Sequence, residues 1–202
     1  MPEQVIVLGA GGHGKVVADA VLSAGDTVLG FLDDSTEKTS VWDLPVLGPM
    51  DRWTEYVHRA RFVFGLGNNA LRRRLAEQLR VNWYTAVHPT ARLGRGVTLG
   101  EGTVVLAGAV LNADAAVGPH CIINTGAVIE HDCRVGTCTH ISPRAVLCGT
   151  VFVGEEVHIG ACAVVRNNLQ ICSHTVVGAG GVVVRDITEA GTYVGNPVRR
   201  LP

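Results

Sequence analysis

The chain has 202 residues and a formal net charge of −1, room for one medium domain or two small ones. It lacks the basic excess of a nucleic-acid surface. Apolar residues make up 47%, yet no run reaches the roughly 18 residues of a membrane-spanning helix. Valine occurs 32 times and glycine 25 times against 5% aromatics, which argues against an ordinary core of leucine and phenylalanine.

The opening Met-Pro-Glu-Gln-Val-Ile-Val-Leu has no basic run ahead of an apolar one. No signal peptide is expected, and a cytoplasmic location follows. The spacing predicts a buried strand over 5–8, then Gly9-Ala-Gly-Gly-His-Gly14 and an amphipathic helix over 15–24. A second strand over 28–32 ends in Asp33-Asp34, a helix is predicted over 50–60, and a strand over 61–65 precedes a helix over 69–80. Alternating strand and helix predict a small open α/β unit with a parallel sheet.

Gly9, Gly11 and Gly14 match G-x-G-x-x-G in the required place, after a strand and before a helix. Gly9, Gly11, Gly12, His13 and Gly14 then form a phosphate cradle at a helix N-terminus, with Asp33 and Asp34 placed to reach a ribose. The plain alternative is a tight turn with no ligand. About 80 residues supply only one mononucleotide half, so a single nucleotide fits better than a dinucleotide. Gly65-Leu-Gly-Asn-Asn69 follows the next strand, so Gly67 and Asn68 are expected at the same crevice.

From Val87 onward every sixth residue through Val183 is aliphatic, without a slip. Two positions earlier the residue is usually Ala, Thr or Cys, and one position later it is often Gly, as at Gly94, Gly100, Gly118, Gly136, Gly154, Gly160 and Gly178. Period six is neither helical nor a simple alternation; it is the hexapeptide signature of a parallel β-helix. Three hexads make one triangular coil, and glycine is expected at corners to relieve backbone strain. The expected division is 1–82 for the α/β unit, 83–186 for the β-helix and 187–202 for a tail. All six cysteines lie in the β-helix region with no C-x-x-C pair, so free thiols are expected.

Residues 18 apart should stack. His140 lies over His158, and His120, Cys138, Glu156 and His174 form a second column, expected to be exposed surface. His131 falls in a corner, beside Asp132. A histidine with an adjacent carboxylate has the parts of a general base, although a surface pair of no consequence has the same look.

Taken together, Val5-Ile-Val-Leu-Gly-Ala-Gly-Gly-His-Gly14, Phe31-Leu-Asp-Asp34, Gly65-Leu-Gly-Asn-Asn69, Asn124-Thr-Gly-Ala-Val-Ile-Glu-His-Asp132 and Val194-Gly-Asn-Pro197 span essentially the whole chain. In this order they resemble the bacterial sialic-acid O-acetyltransferase and sugar-nucleotide 4-amino-sugar N-acetyltransferase family, a branch of the hexapeptide-repeat acyltransferases. The resemblance implies a left-handed β-helix, a homotrimer, and acetyl-CoA as co-substrate held between subunits, with no metal required. It implies that His131 is the general base and Asp132 its support. His140 matches a histidine near the acetyl thioester, and Asn124, Gly149, Ala161, Gly178 and Ala179 fall along the pantetheine channel. The expected function is acetyl transfer to the 4-amino group of a nucleotide-linked, UDP-type 4-amino-4,6-dideoxy sugar in surface glycan or glycoprotein synthesis. O-acetylation of sialic acid or another sugar hydroxyl is the alternative. A non-catalytic or metal-binding β-helix is the third reading.

Overall fold

A computed structural model describes residues 2–35, 37 and 39–202. Its first region is a five-stranded sheet in the order β3-β4-β2-β1-β5. The strands are β1 (Gln4–Leu8), β2 (Thr27–Leu32), β3 (Ser40–Val41), β4 (Leu44–Gly48) and β5 (Arg61–Phe64). β1 pairs in parallel with both β2 and β5. Alternate residues of β1 therefore face opposite sides. Val5 and Val7 join the core under α1 (Gly12–Ser23), while Ile6 and Leu8 join Phe62, Phe64 and Trp83 on the other side, against α2 (Asn69–Gln78). Two expectations change here. The helix over 50–60 is a short 3-10 turn, Met50–Glu55, and the β3–β4 hairpin was not foreseen from the sequence.

The second region consists of seventeen two-residue strands, β6 (Ala86–Val87) through β22 (Val182–Val183). They pair in parallel with a register of 18 residues, as in Val110↔Val128 and His140↔His158, and form three faces. The first face begins at Ala86–Val87, the second at Arg92–Leu93 and the third at Thr98–Leu99. The sixth-residue aliphatics point inward, and from Val105 to Val183 all but two are fully buried, Val117 and Val135 being 4% exposed. β23 (Thr192–Gly195) and β24 (Val198–Arg200) close the far end of the first face as a hairpin.

The small inward position carries polar atoms that the stack itself satisfies. Thr103 Oγ1 donates to the Gly118 carbonyl at 2.8 Å and accepts from Cys121 N at 3.1 Å. Thr139 repeats the pattern with Gly154 and Val157 at 2.8 and 3.0 Å. All six cysteines are free, as expected from their spacing.

The corner glycines have a different cause from the one expected. Gly100, Gly136, Gly154 and Gly160 do not adopt positive φ. A Cβ at Gly136 would sit 2.6 Å from the Gly154 carbonyl carbon, and one at Gly160 would sit 2.6 Å from Ala179 N. They are small because the next coil's backbone lies against them. The left-handed residue of each corner comes two positions later, and ten of these are not glycine: Asp114, His120, Asp132, Cys138, Arg144, Thr150, Glu156, Cys162, Asn168 and His174, with φ of 54–61°.

The α/β region sits on the first face. Val17 and Val21 of α1 share a core with Ala86, Val104, Leu106 and Ile122. Each such buried aliphatic side chain contributes about 1.5–3 kcal/mol. Tyr84 ties the joint with a hydroxyl donated to Asp26 Oδ2 at 2.6 Å. No helix among the described residues is long and apolar enough to cross a membrane.

Candidate active site

The two glycine turns emerge at the carboxyl ends of β1 and β5, the point where the strand order reverses and open α/β sheets hold ligands. Their glycines divide into two groups. A Cβ at Gly9 would meet Leu66 Cδ2 at 2.8 Å, one at Gly14 would collide with the Gly9 carbonyl, and one at Gly65 would lie 2.6 Å from Gly14 Cα. Gly9 and Gly14 are thus glycine because neighbouring backbone and side chains pack against them. Gly11, Gly12 and Gly67 have nothing within 4 Å of a built Cβ. These three leave an open cradle. Gly11 caps α1 without a side-chain bond, so the first N–H groups of the helix are free to meet an anion.

Asp33 is engaged with the loop itself. Its carboxylate accepts from Ala10 N at 2.6 Å and from Ser35 N at 2.8 Å, which shapes the glycine loop from beneath. Asp34 accepts from Met50 N at 2.8 Å. Asn68 caps α2 by accepting from Leu71 N at 2.8 Å.

His13 leans from the glycine loop over the first face, where its ring centroid lies 6.2 Å from that of His140. His140 in turn stacks on His158 at 4.8 Å. Asn124 Nδ2 donates to His140 Nε2 at 2.9 Å, which makes that nitrogen the unprotonated one and places the ring proton on Nδ1. Burial pushes His13 down to about 4 and His140 down to about 3. The positive charge of Arg72 adds to both shifts, and His158 and His13 also lower His140. These imidazoles are neutral at pH 7.

His131 and Asp132 stand elsewhere, at the corner between the second and third faces, opposite the first face. His131 Nδ1 donates to Asp132 Oδ2 at 2.7 Å, and both side chains are 58% exposed. The imidazole reaches over the next coil, where a Cβ at Gly149 would come within 2.5 Å of His131 Nε2. Gly149 is the seat of the ring. With Nδ1 committed to the carboxylate, Nε2 is the nitrogen left for a further partner. A groove of about 300 Å³ runs beside the pair along Asp132, Arg134, Thr150, Phe152 and Gln170.

Ala161, Gly178 and Ala179, expected along the pantetheine channel, lie higher on the β-helix. Ala161 is half-buried and its carbonyl accepts from Gly180 N. Gly178 packs under Val194 of the terminal hairpin, and Ala179 is exposed. The structure thus gathers Asn124 with His140 and His13, and separately His131 with Asp132 and Gly149. The expected exposed column is corrected. His120 and Cys138 are buried because α2 lies across that corner. Sequence reasoning missed Arg72, whose fully buried guanidinium sits at this joint. The three histidines of the metal reading do not converge within one chain, since His131 is across the prism from His140 and His158.

The PglD N-terminal domain model matches residues 4–79. UDP-N-acetylbacillosamine N-acetyltransferase of Bacillus subtilis (strain 168) is 40% identical over 115 residues, 52% of each chain. The match spans about half the length of that curated relative. The acetyltransferase domain of PglB from Neisseria gonorrhoeae FA1090, in complex with acetyl coenzyme A, superposes with a TM-score of 0.95 at 36% identity and covers 100% of both chains. PerB from Caulobacter crescentus, in complex with CoA and GDP-perosamine, superposes at 0.93 with 37% identity, covering 98% of this chain and 97% of that one.

Proposed function

The chain belongs to the hexapeptide-repeat acyltransferases, in the family of the bacterial sugar-nucleotide N-acetyltransferases, and from that premise we propose that it transfers acetyl from acetyl-CoA to the 4-amino group of a nucleotide-linked 4-amino-4,6-dideoxy sugar. UDP is the proposed nucleotide, cytoplasmic precursors of surface glycans or glycoproteins the setting. Residues 1–82 hold the sugar nucleotide, 83–186 carry out the transfer, and 187–202 form the tail.

The His131–Asp132 pair carries the reading: Nδ1 is fixed at 2.7 Å on the carboxylate, which leaves Nε2 for the substrate. The neutral amine attacks the thioester carbonyl, forming the C–N bond. Nε2 of His131 takes the proton that the amine sheds, and Asp132 holds the imidazole and stabilises its positive charge. Collapse of the tetrahedral intermediate breaks the C–S bond, and the thiolate of CoA leaves and recovers that proton. Donors aimed at the oxyanion and the juxtaposition of the two substrates supply the rest of the acceleration. No nucleophilic side chain is needed, so transfer is direct.

His131 and the open cradle lie on opposite sides of one prism, which favours a site completed by a second copy. A homotrimer supplies it. The second face supports this assembly with a column of half-buried valines, Val110, Val128, Val146, Val164 and Val182. The test follows thiol release from acetyl-CoA with UDP-, dTDP- and GDP-linked amino sugars and a sialic acid. It adds a mixing arm in which His131→Ala and Gly11→Val chains are unfolded and refolded together. Turnover of a UDP-linked amino sugar, and recovery of about a quarter of wild-type activity in the random mixture, is expected. Turnover of the sialic acid alone overturns the substrate, and a mixture that reaches only about a twentieth of wild-type kcat/KM, what its Gly11→Val chains supply by themselves, overturns the shared site.

A further inference from the structure

Arg72 is the single fully buried residue of α2, at 1% exposure. Its guanidinium meets only neutral oxygens. Nε donates to the His120 carbonyl at 3.1 Å, and Nη1 to the Leu66 carbonyl at 3.1 Å. Nη2 donates to Asn69 Oδ1 at 2.9 Å and to the Cys138 carbonyl at 2.8 Å. No carboxylate pairs with it among the described residues. Asn69 extends the arrangement, donating from Nδ2 to the Val157 carbonyl at 3.0 Å. His120, Cys138 and Val157 belong to three successive coils. Leu66 and Asn69 belong to the turn that carries Gly67 and Asn68.

Burying a charge with no carboxylate in contact is costly even though Glu156 adds a favourable charge at longer range, and an apolar side chain of similar length would avoid that cost. What an apolar chain cannot supply is a rigid planar fork with donors aimed at four oxygens. We propose that Arg72 is a positioning residue, which pins the second cradle turn to three coils of the β-helix and so sets the separation between the nucleotide cradle and the His140 face. This rests on the reading that the cradle takes the sugar nucleotide and that the acyl donor lies along the β-helix. Arg72 touches neither reacting atom. It acts through the turn.

The full-length variants Arg72→Met, Arg72→Lys and Asn69→Ala test it. Arg72→Met keeps its β-helix signature and oligomeric state, but kcat/KM for the nucleotide-linked amino sugar falls about 10²-fold while the KM for acetyl-CoA stays within about twofold. Arg72→Lys, a point charge without the fork, recovers less than about tenfold of that loss. Asn69→Ala, which removes two of the bonds, loses about tenfold. Hydrogen exchange at residues 65–69 speeds up in all three, with or without substrate. A lowered melting temperature with both KM values, kcat and the exchange unchanged overturns the proposal. If Arg72→Met does not fold, wild-type kinetics and exchange in Asn69→Ala overturn it instead. Should the wild type turn over no nucleotide-linked amino sugar, the substrate reading fails by itself and the exchange decides the role of Arg72.

Discussion

The same residue type does opposite work in the two regions. In the α/β region, Gly9, Gly14 and Gly65 lock against one another so that Gly11, Gly12 and Gly67 can face open space. In the β-helix, Gly100, Gly136 and Gly160 face the backbone of the next coil, and Gly154 faces the backbone and hydroxyl of Ser173. The open glycines of the first region leave room for something else to approach; those of the second mark where the chain approaches itself. On the proposed reading, function in the β-helix is carried by residues that depart from the repeat, whereas in the α/β region it is carried by the loop pattern itself.

The largest expected effect breaks the comparison on the β-helix side. His131→Ala should lower kcat by about 10²–10⁴-fold with the fold intact, read by steady-state kinetics beside circular dichroism. Near-wild-type turnover would remove His131 as the base. Next comes a matched pair of glycine substitutions. Gly154→Val, whose Cβ would lie 2.5 Å from Ser173 N, should destabilise the β-helix by about 3 kcal/mol or more in denaturant melts. Gly11→Val should leave the melt unchanged and raise the KM for the nucleotide sugar about tenfold, about 1.4 kcal/mol, with the KM for acetyl-CoA unaffected. Equal effects of the two substitutions on stability would erase the distinction between them.

The smallest effect sharpens the boundary between the regions. His120 is wedged between Trp83 and Phe64, with ring centroids at 4.6 and 5.4 Å. Burial, with Arg72 and Arg73 adding, pushes it down to about 4. Unfolded, the ring titrates near its ordinary value of 6.5. Its contribution to stability is therefore complete above that value and is lost as pH falls from 6.5 toward 4. At pH 5 the loss is about 2 kcal/mol for one such imidazole. His120→Phe should flatten the fall in melting temperature between pH 7 and pH 5, and an unchanged slope would reject the assignment.

The inward aliphatics and the His131–Asp132 pair were legible because each is a matter of spacing: one obeys the repeat and the other stands outside it. The cradle was legible as a whole but not glycine by glycine, since the division between packing and open positions depends on how β1, α1 and β5 meet. Arg72 was hidden for a physical reason. Between Arg73 and Arg74 on one side and Leu71 on the other, it looks like part of a solvated helix face, and only the docking of α2 across a corner of the β-helix buries it. The β3–β4 hairpin was missed because Ser40–Val41 is too short for a periodic signal.

The left-handed corner residues have a consequence for how such a scaffold changes over time. Asp, His, Cys, Arg, Thr, Glu and Asn all occupy that position at φ of 54–61°, so the backbone there does not depend on one side chain. Each coil offers three such addresses, at fixed heights along the prism and apart from its aliphatic core. A mutation at one that α2 does not cover installs a new chemical group at a chosen level without disturbing the stack. Asp132, the partner of the proposed base, stands at one of these addresses. The β-helix thus behaves as a ruled template on which an active site can be rewritten one corner at a time.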